Sequence, residues 1–324
     1  MTGFSLFQSD TLLPFQLESS GLRGRMVRLG PCLNTILEKH DYPDPVARLL
    51  AEALTLAVLL AGMLKYEGIF TLQIKGDGPV SMVVADVTSK GALRGYARFD
   101  PDHITGIRER APAVPHLLGK GYLAFTVDQG ENTDRYQGIV DLTGETLTDC
   151  VQHYFRQSEQ LATGIVLGVR HTPAEELGTE GGPRLAWSSG GVMLQRMPED
   201  GGHTREWKPN DVEDDWRRAM VLMATCTTDE LTSETLQVTD LLYRLFNEDG
   251  VLIHTPQGLE HVCRCSRQKA ASILRSIPAE ETPHMLVEGT VRVTCEFCNA
   301  SYAFDEVQLR TLHEEDGEDR SGTA

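Results

Sequence analysis

The feature that most limits how this chain can fold lies near its end. Cys263-Arg264-Cys265 and Cys295-Glu296-Phe297-Cys298 place four thiols in two close pairs. They fall within residues 251 to 310, and a module of about 60 residues buries little core and usually needs a staple. Zinc is such a staple: its closed structural sites take four thiolates at the corners of a tetrahedron, and two paired ligand sets suit that geometry. The C-x-x-C turn aims both sulfurs at one ion. The C-x-C pair is harder, because residues two apart in a strand share a face but sit about 7 Å apart. The chain must therefore bend near Arg264 before both sulfurs reach one metal.

Such a site can act as a switch. Zinc–sulfur bonds of about 2.3 Å hold the sulfurs about 3.7 Å apart, whereas a disulfide draws two of them to about 2.05 Å. Forming a disulfide removes two ligands and ejects the metal. Structural zinc contributes about 10–16 kcal/mol of apparent folding free energy in small peptides, against about 5–15 kcal/mol of net stability for a whole domain. Oxidation is thus expected to unfold the module. Zinc-bound sulfurs are thiolates, the oxidisable form. Two other readings stay open on the residues alone. One is an inert zinc ribbon. The other is a thioredoxin-like dithiol, which requires the C-x-x-C to start a helix after a strand. Val291-Arg292-Val293-Thr294 supplies a strand, but Asn299 to Phe304 alternates like a returning strand.

The rest of the composition narrows the classes. Seven cysteines in 324 residues, four crowded into the last quarter, fit a reducing cytoplasm with a metal site better than a secreted disulfide scaffold. Met1 to Glu18 lacks the pattern of a signal peptide. A net charge of −17 with no cluster of Lys and Arg argues against nucleic acid as the principal partner. Val46 to Leu64 is apolar enough to raise a transmembrane question, but Arg48 and Glu52 lie inside it. Each costs about 2.5–3.5 kcal/mol at a bilayer centre, so a buried core helix is the better reading and no membrane is expected.

Along the chain, residues 1–199 alternate strand-like and helix-like segments and read as an α/β (α+β) core domain with a mixed sheet. Ile69 to Lys75, Val80 to Val87, Ala92 to Arg98, Tyr122 to Asp128, Tyr136 to Leu142 and Ile165 to Val169 are strand candidates. Gly76-Asp77-Gly78-Pro79 is a turn, Glu145 to Gln157 a helix, and Pro173 to Pro183 a surface loop. Glu199 to Asp215 is polar and acidic and reads as a linker. Two amphipathic helices follow, so residues 200–250 form a helical linker domain. Trp216, Met220 and Met223 make one apolar stripe; Val238, Leu241, Leu242 and Leu245 make the other. Both need a cover, and the core domain is the expected one. Residues 251–310 form the zinc module, and 311–324 an acidic, disordered tail.

These motifs resemble those of the redox-regulated heat-shock chaperones of the 33 kDa chaperonin family. The resemblance rests on Phe246-Asn247-Glu248, Cys263-Arg264-Cys265-Ser266-Arg267 and Cys295-Glu296-Phe297-Cys298-Asn299, with Tyr302 and Phe304 after them. Upstream it takes in Gly76-Asp77-Gly78-Pro79, Leu93-Arg94-Gly95-Tyr96-Ala97, Tyr154-Phe155 with Ser158-Glu159-Gln160, and Gly190-Gly191-Val192-Met193-Leu194-Gln195 with Met197-Pro198. It spans Phe15 to Phe304; the loop at Pro173 to Pro183 is longer and the acidic tail is added. The resemblance implies an ATP-independent holdase rather than an enzyme. Reduced, Cys263, Cys265, Cys295 and Cys298 would hold one Zn2+ per chain. Oxidised, Cys263 would pair with Cys265 and Cys295 with Cys298, the module and linker would lose structure, and a homodimer would bind unfolded client proteins.

Other constellations carry blander readings. There is no phosphate-binding loop and no nucleophile elbow. His254 and His261 lie near Cys263, but four cysteines already complete a tetrahedron. Cys32, Cys150 and Cys226 read as small buried apolar residues, Arg94 as half of an internal salt bridge, and Ser158-Glu159-Gln160 as a cap or hydrogen-bond network.

Overall fold

The computed structural model describes residues 9–108, 112–130, 136–178, 185–196, 209–278 and 281–321. It divides into two compact units, residues 1–262 and 263–324. In chain order the first unit opens with β1 (Thr11–Leu17), β2 (Arg23–Leu29), α1 (Pro31–Leu37) and α2 (Asp44–Met63). Then come β3 (Ile69–Gly76), β4 (Val80–Thr88), β5 (Ala92–Phe99), α3 (Pro101–Ile104), β6 (Gly121–Asp128), β7 (Tyr136–Asp141) and α4 (Leu147–Tyr154). It continues with β8 (Thr163–His171), β9 (Trp187–Gln195), α5 (Pro209–Ala224), α6 (Thr228–Leu231) and α7 (Val238–Phe246), and closes with β10 (Val251–Ile253), β11 (Gln257–Gly258) and β12 (Glu260–His261).

The strands build two sheets, ordered β10-β1-β2-β9-β8 (with β11 also on β1) and β12-β5-β4-β3-β6-β7. The α+β class holds; among the described residues every pairing is antiparallel except β12–β5, which makes the second sheet mixed, while the pairings within residues 1–199 are all antiparallel. Each of the six strand candidates is a strand. β1, β2 and β9 were not foreseen as strands. Pro14 and Gly24 disguise the first two, and Gly190-Gly191 the third.

α2 packs against strands of both sheets, and so it is apolar all round. It is long and apolar enough to cross a membrane, but 83% of that stretch is buried within the protein. Pro45 sits in its first turn, where a missing N–H costs nothing. Its charges are handled locally. The Arg48 guanidinium donates to the Val169 carbonyl at 2.6 Å and lies 5.9 Å from the Trp187 ring. Glu52 follows one turn later; burial lifts its carboxyl to about 7, with Arg48 opposing.

The second face of the first sheet carries a separate core. Leu13, Phe15, Leu17, Met26, Val192 and Leu194 meet Ala219, Met223, Leu241, Leu242, Leu245 and Phe246 of the linker helices. Residues 209–215, expected as linker coil, are the first turns of α5: Pro209 opens the helix, and Glu213, Asp214 and Asp215 follow near its positive end. Residues 199–208 lie outside the described residues.

The second unit contains α8 (Arg267–Arg275), the hairpin β13 (Thr290–Thr294) and β14 (Ser301–Asp305), and α9 (Glu306–Ser321). Its boundary differs from the expected one. Residues 251–262 pair with β1 and β5 of the first unit, so the second begins at Cys263. Residues 311–321, expected as disordered tail, continue α9.

Glu52 makes the first unit sensitive to pH. Its folded pKa lies above the usual 4.5, so its contribution is fully present below pH 4.5 and lost as pH rises through about 7. Glu52→Gln is expected to match wild type in urea unfolding at pH 4 and to exceed it by at most about 3 kcal/mol at pH 8.

Candidate metal centre

The bend required of the C-x-C pair is present. After β12 the chain passes through Cys263, Arg264 and Cys265 without regular structure, and Ser266 caps α8 by accepting the Lys269 N–H. The Lys269 ammonium donates to the Arg264 carbonyl at 2.7 Å, which ties the loop between the two cysteines. The C-x-x-C pair sits in the β13–β14 turn. Cys295 N–H donates to Ala300 O (2.9 Å), Asn299 N–H donates to Cys295 O (2.8 Å), and Asn299 adopts φ 57°. A hairpin strand, not a helix, follows Cys298, so the thioredoxin geometry is absent here.

The four sulfurs lie within 4.8 Å of one another. Cys263 and Cys295 approach to 3.7 Å, and Cys265 and Cys298 to 3.4 Å. A tetrahedral thiolate site needs sulfur edges of about 3.7 Å, so the donor set and its spacing fit a metal ion that prefers sulfur. Neither His254 nor His261 belongs to this cluster. Tyr302, on β14, lies 3.2 Å from the Cys265 sulfur through its hydroxyl.

Without a cation the sulfurs share charge unevenly. Burial pushes the Cys263 thiol up, but the Cys265 backbone N–H and the three neighbouring sulfurs outweigh it and hold the group at about 7. Cys298 is pushed well up by burial and then by those same neighbours, against the Ala300 N–H. Cys295 is also raised, chiefly by burial. Crowding acids in one place drives such groups apart in pKa, and a dication among them relieves it. The remaining core of this unit is small: Ala270, Ala271, Leu274, Val291, Phe304 and Leu309.

The predicted linker stripes are covered by the first sheet. Met223, Leu241, Leu242 and Leu245 are buried in the second core, while Trp216, Met220 and Val238 pack at its margin. The approach is close: a Cβ on Gly164 would lie 2.2 Å from the Met220 sulfur, and one on Gly190 would lie 2.3 Å from the Leu231 carbonyl oxygen. Phe15 stacks on Phe246 at 6.1 Å.

Two arginines that the sequence reading missed hold the same region. Arg28 is buried and donates to the carbonyls of Leu231 (2.9 Å), Glu230 (2.7 Å) and Leu236, and burial lowers its pKa to about 10. Arg170 donates to Thr232 O at 3.1 Å and pairs with Glu234 at 3.7 Å. A single charged residue in an otherwise apolar strand end, Met26-Val27-Arg28-Leu29, was the available signal.

The blander readings stand. Cys32, Cys150 and Cys226 are buried free thiols. Arg94 pairs with Asp86 at 2.7 Å. Glu159 accepts from the Tyr136 and Tyr154 hydroxyls at 2.7 and 2.6 Å.

Comparison with known proteins places this arrangement. The family model described as Hsp33 protein matches residues 10–305. A 33 kDa chaperonin of Caulobacter vibrioides is 40% identical over 299 residues, covering 91% of this chain and 95% of that protein. One of Escherichia coli O7:K1 is 35% identical over 306 residues, covering 94% and 95%. The crystal structure of a 33 kDa chaperonin from Thermotoga maritima superposes with a TM-score of 0.75 at 23% identity, covering 95% of this chain and 99% of that one, and shows the same fold.

Removing bound metal with a strong chelator at neutral pH is expected to unfold residues 263–313 while the two sheets stay folded. Circular dichroism and limited proteolysis check this: cleavage sites in the second unit are expected, with the strands of both sheets resistant. Metal as a main support of a core this small implies a loss of order 10 kcal/mol.

Proposed function

The chain belongs to the Hsp33 family, and from that premise we propose that it is a redox-regulated, ATP-independent holdase that keeps unfolding proteins from aggregating under oxidative stress. The relatives are named chaperonins, which agrees with a role other than catalysis. The observation that carries the reading is the gathering of Cys263, Cys265, Cys295 and Cys298 within 4.8 Å in a unit with little other core.

In the reduced state four thiolates hold one zinc ion per chain. The ion supplies positive charge and a cross-link, and the sulfurs do the chemistry. One hydrogen peroxide per thiolate pair takes two electrons and, with two protons, leaves as two waters, so that two peroxides join Cys263 to Cys265 and Cys295 to Cys298. No thiolate then remains to hold the metal, and the second unit loses its main support. Cys263 lies 3.7 Å from Cys295 and Cys265 3.4 Å from Cys298, with all four sulfurs within 4.8 Å, so proximity does not select a pairing and the within-motif pairing rests on the family resemblance. Peptide mapping of the oxidised chain decides it.

Loss of the second unit frees the downstream end of the linker. Its apolar face, Trp216, Met220, Met223, Val238, Leu241, Leu242 and Leu245, covers Leu13, Phe15 and Leu17 in the resting state. Undocking would expose both surfaces to unfolded clients, and the active form would be a homodimer. Seven free cysteines and four of them in one cluster suit a reducing cytoplasm.

Two experiments test this. Peroxide at raised temperature is expected to release about one zinc per chain, with suppression of client aggregation appearing in step. Zinc retained through thiol oxidation, or lost with no gain of activity, would reduce the site to a structural staple. Leu241→Asp with Leu245→Asp places two charges in the covered interface, where each unpaired charge costs several kcal/mol. The reduced double variant is expected to bind a hydrophobic dye and to suppress aggregation; a silent reduced variant removes the linker from the mechanism.

A further inference from the structure

The stretch from Gly250 to Val262 is a strap laid along the edges of both sheets. Glu18 N–H donates to Gly250 O (2.9 Å), His254 N–H to Pro14 O (2.9 Å), and Leu259 N–H to Asp10 O (2.8 Å). The strap then crosses to β5, where Glu260 N–H donates to Gly91 O (3.0 Å) and Val262 N–H to Leu93 O (3.1 Å). It is weakly held. Its strands are three, two and two residues long. Leu252 and Ile253 are 45% and 40% exposed, and Leu259 is its one buried apolar side chain.

Pro14 gives β1 the character of an edge strand. In an antiparallel strand a residue's N–H and C=O point to the same side. Pro14 O faces the strap, so the missing N–H faces the strap too, and one rung of that ladder is absent. Proline is confined to strands whose N–H side is an edge. β1 therefore lies inside a sheet only while the strap covers it. Its sequence, Thr11-Leu12-Leu13-Pro14-Phe15-Gln16-Leu17, carries no charge in a chain of net charge −17. The residue after the strap is Cys263, the first of the four clustered cysteines.

We infer that the strap occupies the place of a client: when the second unit unfolds, residues 250–262 leave β1, and an extended segment of unfolded polypeptide adds to that edge as an antiparallel strand. The inference rests on the holdase reading and names the grip it uses. Strand addition suits a holdase because main-chain hydrogen bonds read no sequence, and an uncharged edge repels no client. A second copy of the chain is the poorer occupant. A β1–β1 ladder lacks two donors, one from each Pro14, where a client ladder lacks one.

Residue-resolved amide exchange on the full chain tests this. Gln16 and Glu18 face the strap, whereas Leu17 N–H donates to Leu22 O (2.9 Å) on the β2 side. On oxidation, exchange at Gln16 and Glu18 is expected to rise about tenfold or more while Leu17 stays protected. Adding reduced, carboxymethylated α-lactalbumin, a permanently unfolded probe, is expected to restore protection at Gln16 and Glu18. Leu252→Pro, which weakens the strap and leaves β1 intact, is expected to lower the peroxide dose at which suppression appears. Zinc release and aggregation are followed on the same samples. Gln16 and Glu18 that stay protected in an oxidised, suppressing sample overturn the inference and leave the holdase reading standing. Oxidised protein that does not suppress aggregation overturns both. Reprotection without the probe that grows with chain concentration overturns the client assignment in favour of a β1–β1 pair.

Discussion

A sheet with apolar side chains on both faces must be covered twice, and the first sheet has that problem. α2 covers one face, and its own all-apolar surface is satisfied by meeting both sheets. The other face, with Leu13, Phe15, Leu17, Met26, Val192 and Leu194, is covered by α5 and α7. At about 25 cal/mol per Å² of apolar surface, leaving such a patch open is costly, and the linker helices need it equally. The cover is a segment of the same compact unit rather than a second domain.

The means of attachment match that use. Arg28 and Arg170 grip main-chain carbonyls between Glu230 and Leu236, and the glycines at 164 and 190 let the helices sit close. Arg218 pairs with the buried Asp249, which also accepts from Ser19 at 3.0 Å, just where α7 gives way to the strap. These are local contacts made to the ends of short elements. They tie the linker helices to the first sheet and to the β1–β2 turn.

The second unit is the opposite case: a hairpin, two helices and few buried side chains. Its four cysteine sulfurs come together within 4.8 Å, beside that small core. Crowded thiols with one member at about 7 suit a metal ion that prefers sulfur, and the apolar core among the described residues of the unit is small.

How much of this could be read in the sequence follows from range. The four cysteines declare their ligand set through spacing alone, because C-x-C and C-x-x-C are local patterns. The helical stripes from Trp216 to Leu245 and the strands from Ile69 to Asp128 were legible for the same reason, as periodicity is local. β1, β2 and β9 were not, since Pro14, Gly24 and Gly190 mask the alternation and have meaning only beside a partner: the Phe15 ring over Gly24, the Leu231 carbonyl over Gly190. Residues 251–262 look like the start of the small module by composition, yet they belong to the first unit, because strand pairing is decided by which edges are free. The sequence by itself determined the four-sulfur donor set and the amphipathic cover. Tertiary structure alone decided what is covered, where the units divide and how Arg28 holds the linker, because those depend on contacts between residues about 200 positions apart.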